Sequence, residues 1–438
     1  MKRVTLIFLS ALFALAPVRA ATAGLAPNRV VLENGTVLLA SEQRALPMVS
    51  IELLIDAGSR YDVAGQEGLA HLAARLLTYG TKRRTALQIS DALDFIGASV
   101  STGSGENLAS VSMTMLKKDL SAGLSLLAEV LTQSTFPQEE IDRQKQLIVA
   151  SLKAREEDPG DIAERRFAAA LFPGSPYGRP VEGTESSVKA ISRGSLREFY
   201  ERHYRPDRTI AAVVGDISTK QIEAALNQAF QPWKKGKPRS KPPAPVVGTA
   251  GVIRVNKDLT QANIIMGHEG VTRGNPDYYA IQVMNNILGG GGFSSRLMES
   301  IRNQRGLAYS VYTHFNADKS HGSFQFVMQT QNESARDAMR IAREEIGRIQ
   351  RELVSEQELN DARDYLTGSF PLRLDTNRKV ANFLALVEFF ELGLDYPDRY
   401  AHWIRTVQRE DVLRVAQRYL KPERLITVVV GNQNRIGE

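Results

Sequence analysis

The chain contains an internal repeat, and this repeat limits the folds open to it more than any other feature. The segment 204–215 reads Tyr-Arg-Pro-Asp-Arg-Thr-Ile-Ala-Ala-Val-Val-Gly, and 420–431 reads Leu-Lys-Pro-Glu-Arg-Leu-Ile-Thr-Val-Val-Val-Gly. Pro, Arg, Ile, two Val and Gly recur at a single offset of 216 residues. Each copy has the β-branched, apolar composition of a buried strand that ends at glycine. The sequence therefore predicts two similar halves, each contributing the same strand.

A linker between the halves is predicted where lysine and proline are concentrated. Residues 234–245 read Lys-Lys-Gly-Lys-Pro-Arg-Ser-Lys-Pro-Pro-Ala-Pro, a composition that resists both helix and sheet. We therefore predict an N-terminal domain at 21–233, a linker at 234–250 and a C-terminal domain at 251–438. With 438 residues, 43% of them hydrophobic, the chain is long enough for two cores, which excludes a single small module or a disordered tail protein.

Strand and helix patterns alternate within each half. Short apolar runs at 36–39 and 49–55 indicate strands. Apolar residues at helical spacing indicate helices at 120–131 and 334–353, and a capping box that begins at Ser218 opens another. The predicted fold class is α+β, with each half a β-sheet covered by helices.

The N-terminus has the pattern of an export signal. Lys2 and Arg3 precede an apolar run that ends at Pro17, and small residues follow. This pattern predicts a cleaved signal peptide at 1–20, because the run is too short to serve as a membrane anchor. No later segment is apolar enough to span a bilayer, and the chain has no cysteine. We expect an exported, disulfide-free protein that resides in the periplasm.

Most motifs of catalysis and of nucleic-acid binding are absent from the sequence. There is no phosphate-binding G-x-x-x-x-G-K, no G-x-S-x-G, and no cysteine to act as a nucleophile. The 6 histidines are scattered, and no two are spaced as zinc ligands on one helix. Removal of residues 1–20 lowers the net charge from +6 to +3, and no basic stripe points to nucleic acid.

The segment 68–81 carries the strongest functional information. It reads Gly-Leu-Ala-His-Leu-Ala-Ala-Arg-Leu-Leu-Thr-Tyr-Gly-Thr. It resembles the active-site helix of the pitrilysin, insulinase and mitochondrial-processing-peptidase family of zinc peptidases, which reads close to G-x-A-H-F-x-E-H-x-x-F-x-G-T. In that family two histidines four residues apart bind one zinc, and the glutamate between them is the general base. Here His71 remains, Ala74 replaces the glutamate and Arg75 replaces the second histidine.

The third zinc ligand of the family is also missing. When the helix at 139–159 is aligned on its ends, the family's paired glutamates fall on Ala150 and Ser151. Arg75 would also place a permanent cation beside the metal position. The resemblance therefore implies no catalytic residue, no metal ligand and no cofactor in this chain. A lone histidine such as His71 is more often packed or solvated than part of a rebuilt metal site.

Two further segments extend the resemblance over almost the whole mature chain. Residues 176–184 look like the family's Y-x-x-P-x-x-G-T loop, and 290–297 resemble its G-G-G-x-S-S-R-L turn. The next segment resembles R-x-x-x-G/Q-L-x-Y, in which an arginine and a tyrosine hold substrate. On that match the substrate-binding pair is Arg302 and Tyr309, with Arg305 a competitor for the arginine role. Spacing alone favours a structural interpretation, with Arg302 a solvated helix residue and Tyr309 a half-buried strand aromatic, and only the surrounding motif favours the functional one.

The resemblance implies a role beside a second chain. Some family members are heterodimers of a zinc-bearing chain and a degenerate one, and this sequence looks like the degenerate partner. We expect a non-catalytic, substrate-binding subunit that pairs with a homologous H-x-x-E-H subunit to hydrolyse peptides, with zinc in the partner. The alternatives are a scaffold and a peptide-binding protein of the same fold without peptidase activity. The family fold, two similar α+β halves that close like a clamshell, agrees with the repeat.

Overall fold

A computed structural model describes residue 25 and residues 27–237 and 245–437. The predicted signal peptide lies outside the described residues, and so does the central part of the predicted linker. The described linker residues, 234–237 and 245–250, form no helix or strand.

The first half forms a six-stranded sheet in the order β1-β2-β6-β3-β5-β4. Its strands are β1 Asn28–Val31, β2 Val37–Glu42, β3 Met48–Ile55, β4 Ser99–Ser104, β5 Ala109–Leu116 and β6 Thr209–Gly215. Strand β6 is parallel to β2 and antiparallel to β3. The sequence pattern placed two of these strands, β2 and β3, to within one residue at their starts, and the first copy of the repeat is β6.

The second half forms a five-stranded sheet in the order β7-β11-β8-β10-β9. Its strands are β7 Gly251–Asn256, β8 Gln261–Glu269, β9 Ala308–Ala317, β10 Gly322–Gln331 and β11 Ile426–Gly431. Strand β11, the second copy of the repeat, is parallel to β7 and antiparallel to β8. The same relations hold for β6 with β2 and β3, so the two sheets share one topology and β1 is an addition to the first. This confirms the predicted α+β fold with two similar halves.

Helices cover both sheets. In the first half they are α1 Leu69–Leu76, α2 Ala86–Phe95, α3 Leu120–Thr132, α4 Gln138–Glu157, α5 Pro159–Leu171, α6 Glu185–Ala190, α7 Arg193–His203 and α8 Thr219–Ala229. In the second half they are α9 Tyr278–Asn285, α10 Ala335–Ile349, α11 Glu356–Ser369, α12 Asn377–Phe389, α13 Tyr396–Thr406, α14 Arg409–Tyr419 and α15 Gln433–Ile436. The predicted helices at 120–131 and 334–353 correspond to α3 and α10. The predicted capping box at Ser218 begins α8.

One helix of each half packs against the sheet of the other half. Helix α5 contributes Phe167 to a buried cluster with Ile265 and Val428 of the second sheet. Helix α12 contributes Leu384 to a cluster with Leu39 of the first sheet. The remaining helices of each half bury the opposite face of their own sheet. The two halves are therefore interlocked, and the two core strands of the repeat are buried on both faces, which explains why they are continuously apolar.

None of the helices within residues 27–237 and 245–437 combines the length and the apolar character needed to cross a membrane.

Candidate functional site

Helix α1 carries the residues that resemble a zinc-binding motif. Its first turn is held by Asp62, whose carboxylate accepts hydrogen bonds from the backbone N–H groups of Gly68 and Ala70, each at 2.8 Å. These bonds satisfy donors that a helix N-terminus leaves without partners. Leu72 and Leu76 are fully buried and anchor the helix in the core of the first half. The position and rotation of α1 are therefore set by its apolar face and by Asp62.

The metal positions on α1 hold the wrong groups for zinc. Ala74 is fully buried, so the position of the general base is a methyl group in the core. The Nε of Arg75 donates a 2.5 Å hydrogen bond to the Oε1 of Gln144 on α4. Burial lowers the pKa of His71, with Glu182 opposing and Arg75 reinforcing the shift. The chain thus places a guanidinium beside an imidazole whose protonation is disfavoured.

Helix α4 does not supply a carboxylate to this site. Its buried face consists of Ile141, Gln144, Ile148 and Leu152, whereas Ala150 and Ser151 are exposed. The resemblance to the family did not identify Gln144 as the partner of Arg75. Its position on the apolar stripe of α4 did indicate that it is buried. Zinc is bound by Cys, His, Asp or Glu side chains. At these positions the chain offers only one such group, the imidazole of His71, beside a guanidinium, an amide, a methyl and a hydroxyl. The residues present do not fit the family's metal.

The loop that resembles Y-x-x-P-x-x-G-T has a structural role beside α1. Gly183 has φ +81, and a Cβ there would lie 2.1 Å from the carbonyl oxygen of Glu67. Gly68 has φ +95, and a Cβ there would lie 2.5 Å from the carbonyl oxygen of Glu182. Ser187 Oγ donates to the same Glu67 carbonyl at 2.7 Å. The two glycines let the backbone of this loop approach the backbone at the start of α1 closely, so the loop positions the helix. This role does not require α1 to bind a metal ion.

Arg302 and Tyr309 lie side by side on the second half. Arg302 is in the π-helical segment Met298–Asn303, and Tyr309 is on β9. The guanidinium carbon lies 5.5 Å from the Tyr309 ring centroid and 5.0 Å from that of Phe293, distances typical of cation–π contacts. Tyr309 is 72% exposed and Phe293 70% exposed. The structure therefore brings the predicted pair together and adds Phe293, which the sequence showed only as an aromatic in a glycine-rich turn.

The two candidate arginines have different partners. Arg305 donates to the backbone carbonyl of Ser300 at 2.6 Å, so its guanidinium is already engaged. For Arg302 the structure gives a 4.0 Å contact to the sulfur of Met298 and the two rings, with no carboxylate partner among the described residues. A free guanidinium and a phenol beside it are donors suited to a substrate carbonyl or carboxylate.

Arg296 of the glycine-rich turn is a structural anchor. Its Nε and Nη2 donate to the two carboxylate oxygens of Glu358 on α11, at 2.6 and 3.0 Å. The side chain of Arg296 is almost fully buried, and Glu358 also caps the start of α11. Hydrogen bonds from Arg296 and from Ser355 hold the pKa of Glu358 near 2, against the opposing effect of burial. This bidentate pair fixes the turn that presents Phe293 and leads into the segment of Arg302.

The duplicated sheets, the altered α1 and the donor pair define a protein with the architecture of a zinc metallopeptidase and an incomplete set of its zinc ligands. The family model described as Insulinase (Peptidase family M16) matches residues 37–185. The model described as Peptidase M16 inactive domain matches residues 190–366. Together the two models match well over half of the chain. The chain belongs to peptidase family M16, which confirms the resemblance found in the sequence.

Relatives of similar length support the same assignment. The chain is 28% identical to an uncharacterized zinc protease of Streptomyces coelicolor over 414 residues, which are 92% of this chain and 89% of the relative. It is 27% identical to an uncharacterized zinc protease of Rickettsia bellii over 415 residues, 93% of this chain and 98% of the relative.

Solved structures share the fold. A peptidase M16 inactive domain from Pseudomonas fluorescens matches with a TM-score of 0.89 and 27% identity over 93% of this chain and 98% of that one. A protease from Helicobacter pylori matches with a TM-score of 0.85 and 20% identity over 92% of this chain and 99% of that one, and shows the fold alone.

Proposed function

We propose that the chain is the non-catalytic, substrate-binding subunit of an exported zinc metallopeptidase. It pairs with a homologous subunit that keeps the H-x-x-E-H motif, and the partner supplies zinc, the metal-bound water and the general base. The observation that carries this proposal is the contrast between the two halves. The first half has Ala74 and Arg75 where a zinc site needs Glu and His, whereas the second half keeps Arg302 and Tyr309 together.

The contribution of this chain is to bind and orient a peptide. The guanidinium of Arg302 and the phenol of Tyr309 donate hydrogen bonds to a peptide carbonyl and stabilise the negative charge that develops on its oxygen. Phe293 stacks on the guanidinium and restricts its orientation. Short or unfolded peptides are the expected substrates. Export to the periplasm is supported by the basic, apolar and small-residue pattern of residues 1–20.

The experiment compares this chain, a homologous H-x-x-E-H chain from the same genome, and a mixture of the two. Cleavage of fluorogenic peptides is measured for each sample. We expect this chain alone to be inactive and the mixture to be active. In the mixture, Arg302→Ala and Tyr309→Phe lower kcat/KM by at least about tenfold, because each removes a donor to the developing oxyanion.

Matched controls separate substrate binding from a general effect of surface mutation. Arg305→Ala removes a guanidinium three residues away that is bound to the Ser300 carbonyl, and Tyr365→Phe removes an exposed phenol on α11. Both leave kcat/KM of the mixture unchanged. Cleavage by the isolated chain that a chelator stops would contradict the proposal. Unchanged activity of the mixture with Arg302→Ala and Tyr309→Phe would instead support the scaffold alternative.

A further inference from the structure

The turns of two equivalent hairpins meet where the halves join. Residues 105–108 connect β4 to β5, and 318–321 connect β9 to β10, the corresponding strands of the second sheet. The first turn contributes Glu106, and the second contributes Asp318 and His321. One ligand atom of each side chain lies within 4.8 Å of the others. Three groups of the kind that bind metal ions are thus brought together by turns more than 200 residues apart in the chain.

The three groups line a cavity with an excess of negative charge. Its volume is about 350 Å³, and Glu164 of α5 and Gln325 of β10 also line it. Its described lining includes three carboxylates and one imidazole and no Lys or Arg. Burial raises the pKa of Glu164, with Glu106 among the charges that raise it further. A positive charge inside the cavity would relieve this repulsion.

A chain of polar contacts connects His321 to Arg60 of the first half. Asn107 Oδ1 accepts from Arg60 Nη1 at 2.6 Å and from the hydroxyl of Tyr177 at 3.3 Å. The Tyr177 hydroxyl oxygen also lies 3.1 Å from Ser320 Oγ, and with its proton directed at Asn107 it can accept from Ser320. Ser320 Oγ in turn lies 3.3 Å from His321 Nδ1 and can accept a hydrogen bond from it. In this arrangement Nδ1 is the protonated ring nitrogen and Nε2 is left for a metal ion, as in many metal-binding histidines whose second nitrogen is held by a neighbour.

The other nitrogen of His321 faces a carboxylate. His321 Nε2 lies 3.1 Å from Glu106 Oε2, and when Nδ1 carries the only ring proton both of these atoms are acceptors. A metal ion bound to both atoms satisfies two facing acceptors of this kind. Ligands around a tetrahedral zinc at about 2.1 Å are about 3.4 Å apart, close to this separation.

A buried oxygen without a partner lies in the same cavity. Gln325 is only 4% exposed, and its amide nitrogen donates to Glu164 Oε1 at 3.3 Å and to Ser323 Oγ at 3.4 Å. Its Oε1 has no hydrogen-bond partner in the part of the chain that the structure describes. A buried acceptor of this kind is costly unless a donor reaches it, and water bound to a metal ion is a strong donor.

We propose that a divalent transition-metal ion, with Zn²⁺ the best match, binds between the two turns. Glu106, Asp318 and His321 are its protein ligands, and a water molecule that donates to Gln325 completes the coordination. One ligand comes from the first half and two from the second, so the ion fastens the halves to each other. Its role is structural, and the site is separate from the altered helix α1.

The test is zinc binding by the full chain without any partner subunit. Chelator-treated protein is titrated with Zn²⁺ by calorimetry, with Ca²⁺ as a comparison ion. We expect one saturable equivalent of Zn²⁺ and a higher unfolding temperature in its presence. His321→Ala and the near-isosteric Asp318→Asn weaken Zn²⁺ binding by more than about tenfold and abolish the rise in unfolding temperature.

Two other histidines provide the controls. His402→Ala removes an exposed histidine of α13, and His71→Ala removes the histidine of α1. Both variants bind Zn²⁺ like the unaltered chain. Circular dichroism of each chelated variant establishes that it is folded. No saturable binding, binding retained by folded Asp318→Asn, or binding lost in His71→Ala would overturn the proposal.

Discussion

Arg75 is the residue at which α1 departs furthest from a metal site. A neutral side chain at this position would not repel a metal ion. A guanidinium is charged at every physiological pH and repels a divalent cation. The hydrogen bond to Gln144 gives this charge a partner in the interior and joins α1 to α4. The Arg75–Gln144 pair thus links α1 to α4, the two helices that a bound zinc ion would link in a family member with the intact ligands.

Protonation of His268 on β8 makes the free energy of unfolding depend on pH. Its Nδ1 donates to the Glu269 carbonyl, and its Nε2 accepts from the backbone N–H of Lys421, so the buried ring is held neutral. Burial lowers its pKa to about 4. Because the unfolded chain binds this proton more tightly, the stabilisation is complete above pH 6.5 and is lost as pH falls towards 4. Full loss corresponds to about 3 kcal/mol.

Urea unfolding at pH 7 and pH 4 measures this effect. We expect His268→Gln to lose less stability between the two pH values than the unaltered chain, by about 3 kcal/mol. His402→Gln, at an exposed position of α13, should follow the unaltered chain. Equal losses in all three proteins would show that His268 is not the group responsible.

At the scale of elements, the main feature of the fold is that α5 and α12 each pack on the sheet of the opposite half. The two helices occupy equivalent places in the two halves, and each covers the face of the other half's sheet that its own helices leave open. Phe167 of α5 and Leu384 of α12 are both completely buried in these contacts. The apolar area that they remove from water belongs to the contact between the halves.

A core substitution on α12 measures how much this packing contributes. Leu384→Ala should lower the free energy of unfolding by about 2 to 5 kcal/mol, because the fully buried side chain leaves a cavity against the first sheet. Leu372→Ala, at a position 65% exposed just before α12, should change it by less than about 0.5 kcal/mol. Chemical denaturation of both variants gives the comparison. A small effect of Leu384→Ala would mean that α12 packs loosely on the sheet.

The whole molecule is a duplicated unit whose halves complete each other. The cores of the two sheets include side chains from the opposite half, and polar contacts such as the Arg29–Glu388 ion pair at 2.9 Å also join them. Exposed ion pairs of this kind contribute little, so the buried helices account for most of the attachment. We therefore expect the chain to unfold as one cooperative unit rather than as two independent domains.

Expression of the halves tests this cooperativity. Residues 25–237 and 245–437 are produced separately and together, and circular dichroism and size-exclusion chromatography record folding and association. We expect each half alone to be unfolded or aggregated, because α5 or α12 and one sheet face would be exposed to water. Produced together, they should form a stable one-to-one complex. A half that unfolds cooperatively by itself would contradict this expectation.

Much of the architecture was predictable because its causes are local or repeated. The β-branched runs, the helical spacing of leucines and the capping box at Ser218 act within a few residues, so they indicate elements directly. The spacing of Arg302 and Tyr309 within a recognisable motif identified the candidate pair. Export and the heterodimeric partner remain predictions, since residues 1–20 lie outside the described part and a second chain is not part of the structure.

The amino-acid sequence by itself determined that this chain is a duplicated α+β protein of a zinc-peptidase type in which His71 remains but the other zinc ligands and the general base are replaced. Only the tertiary structure decided that α5 and α12 pack on the sheet of the opposite half. It decided that Gln144 accepts a hydrogen bond from Arg75 and that Phe293 contacts Arg302. It also decided that Glu106 lies beside His321, although 215 positions separate them. The reason is that residue periodicity records which face of an element is buried, whereas these contacts depend on how distant elements pack together.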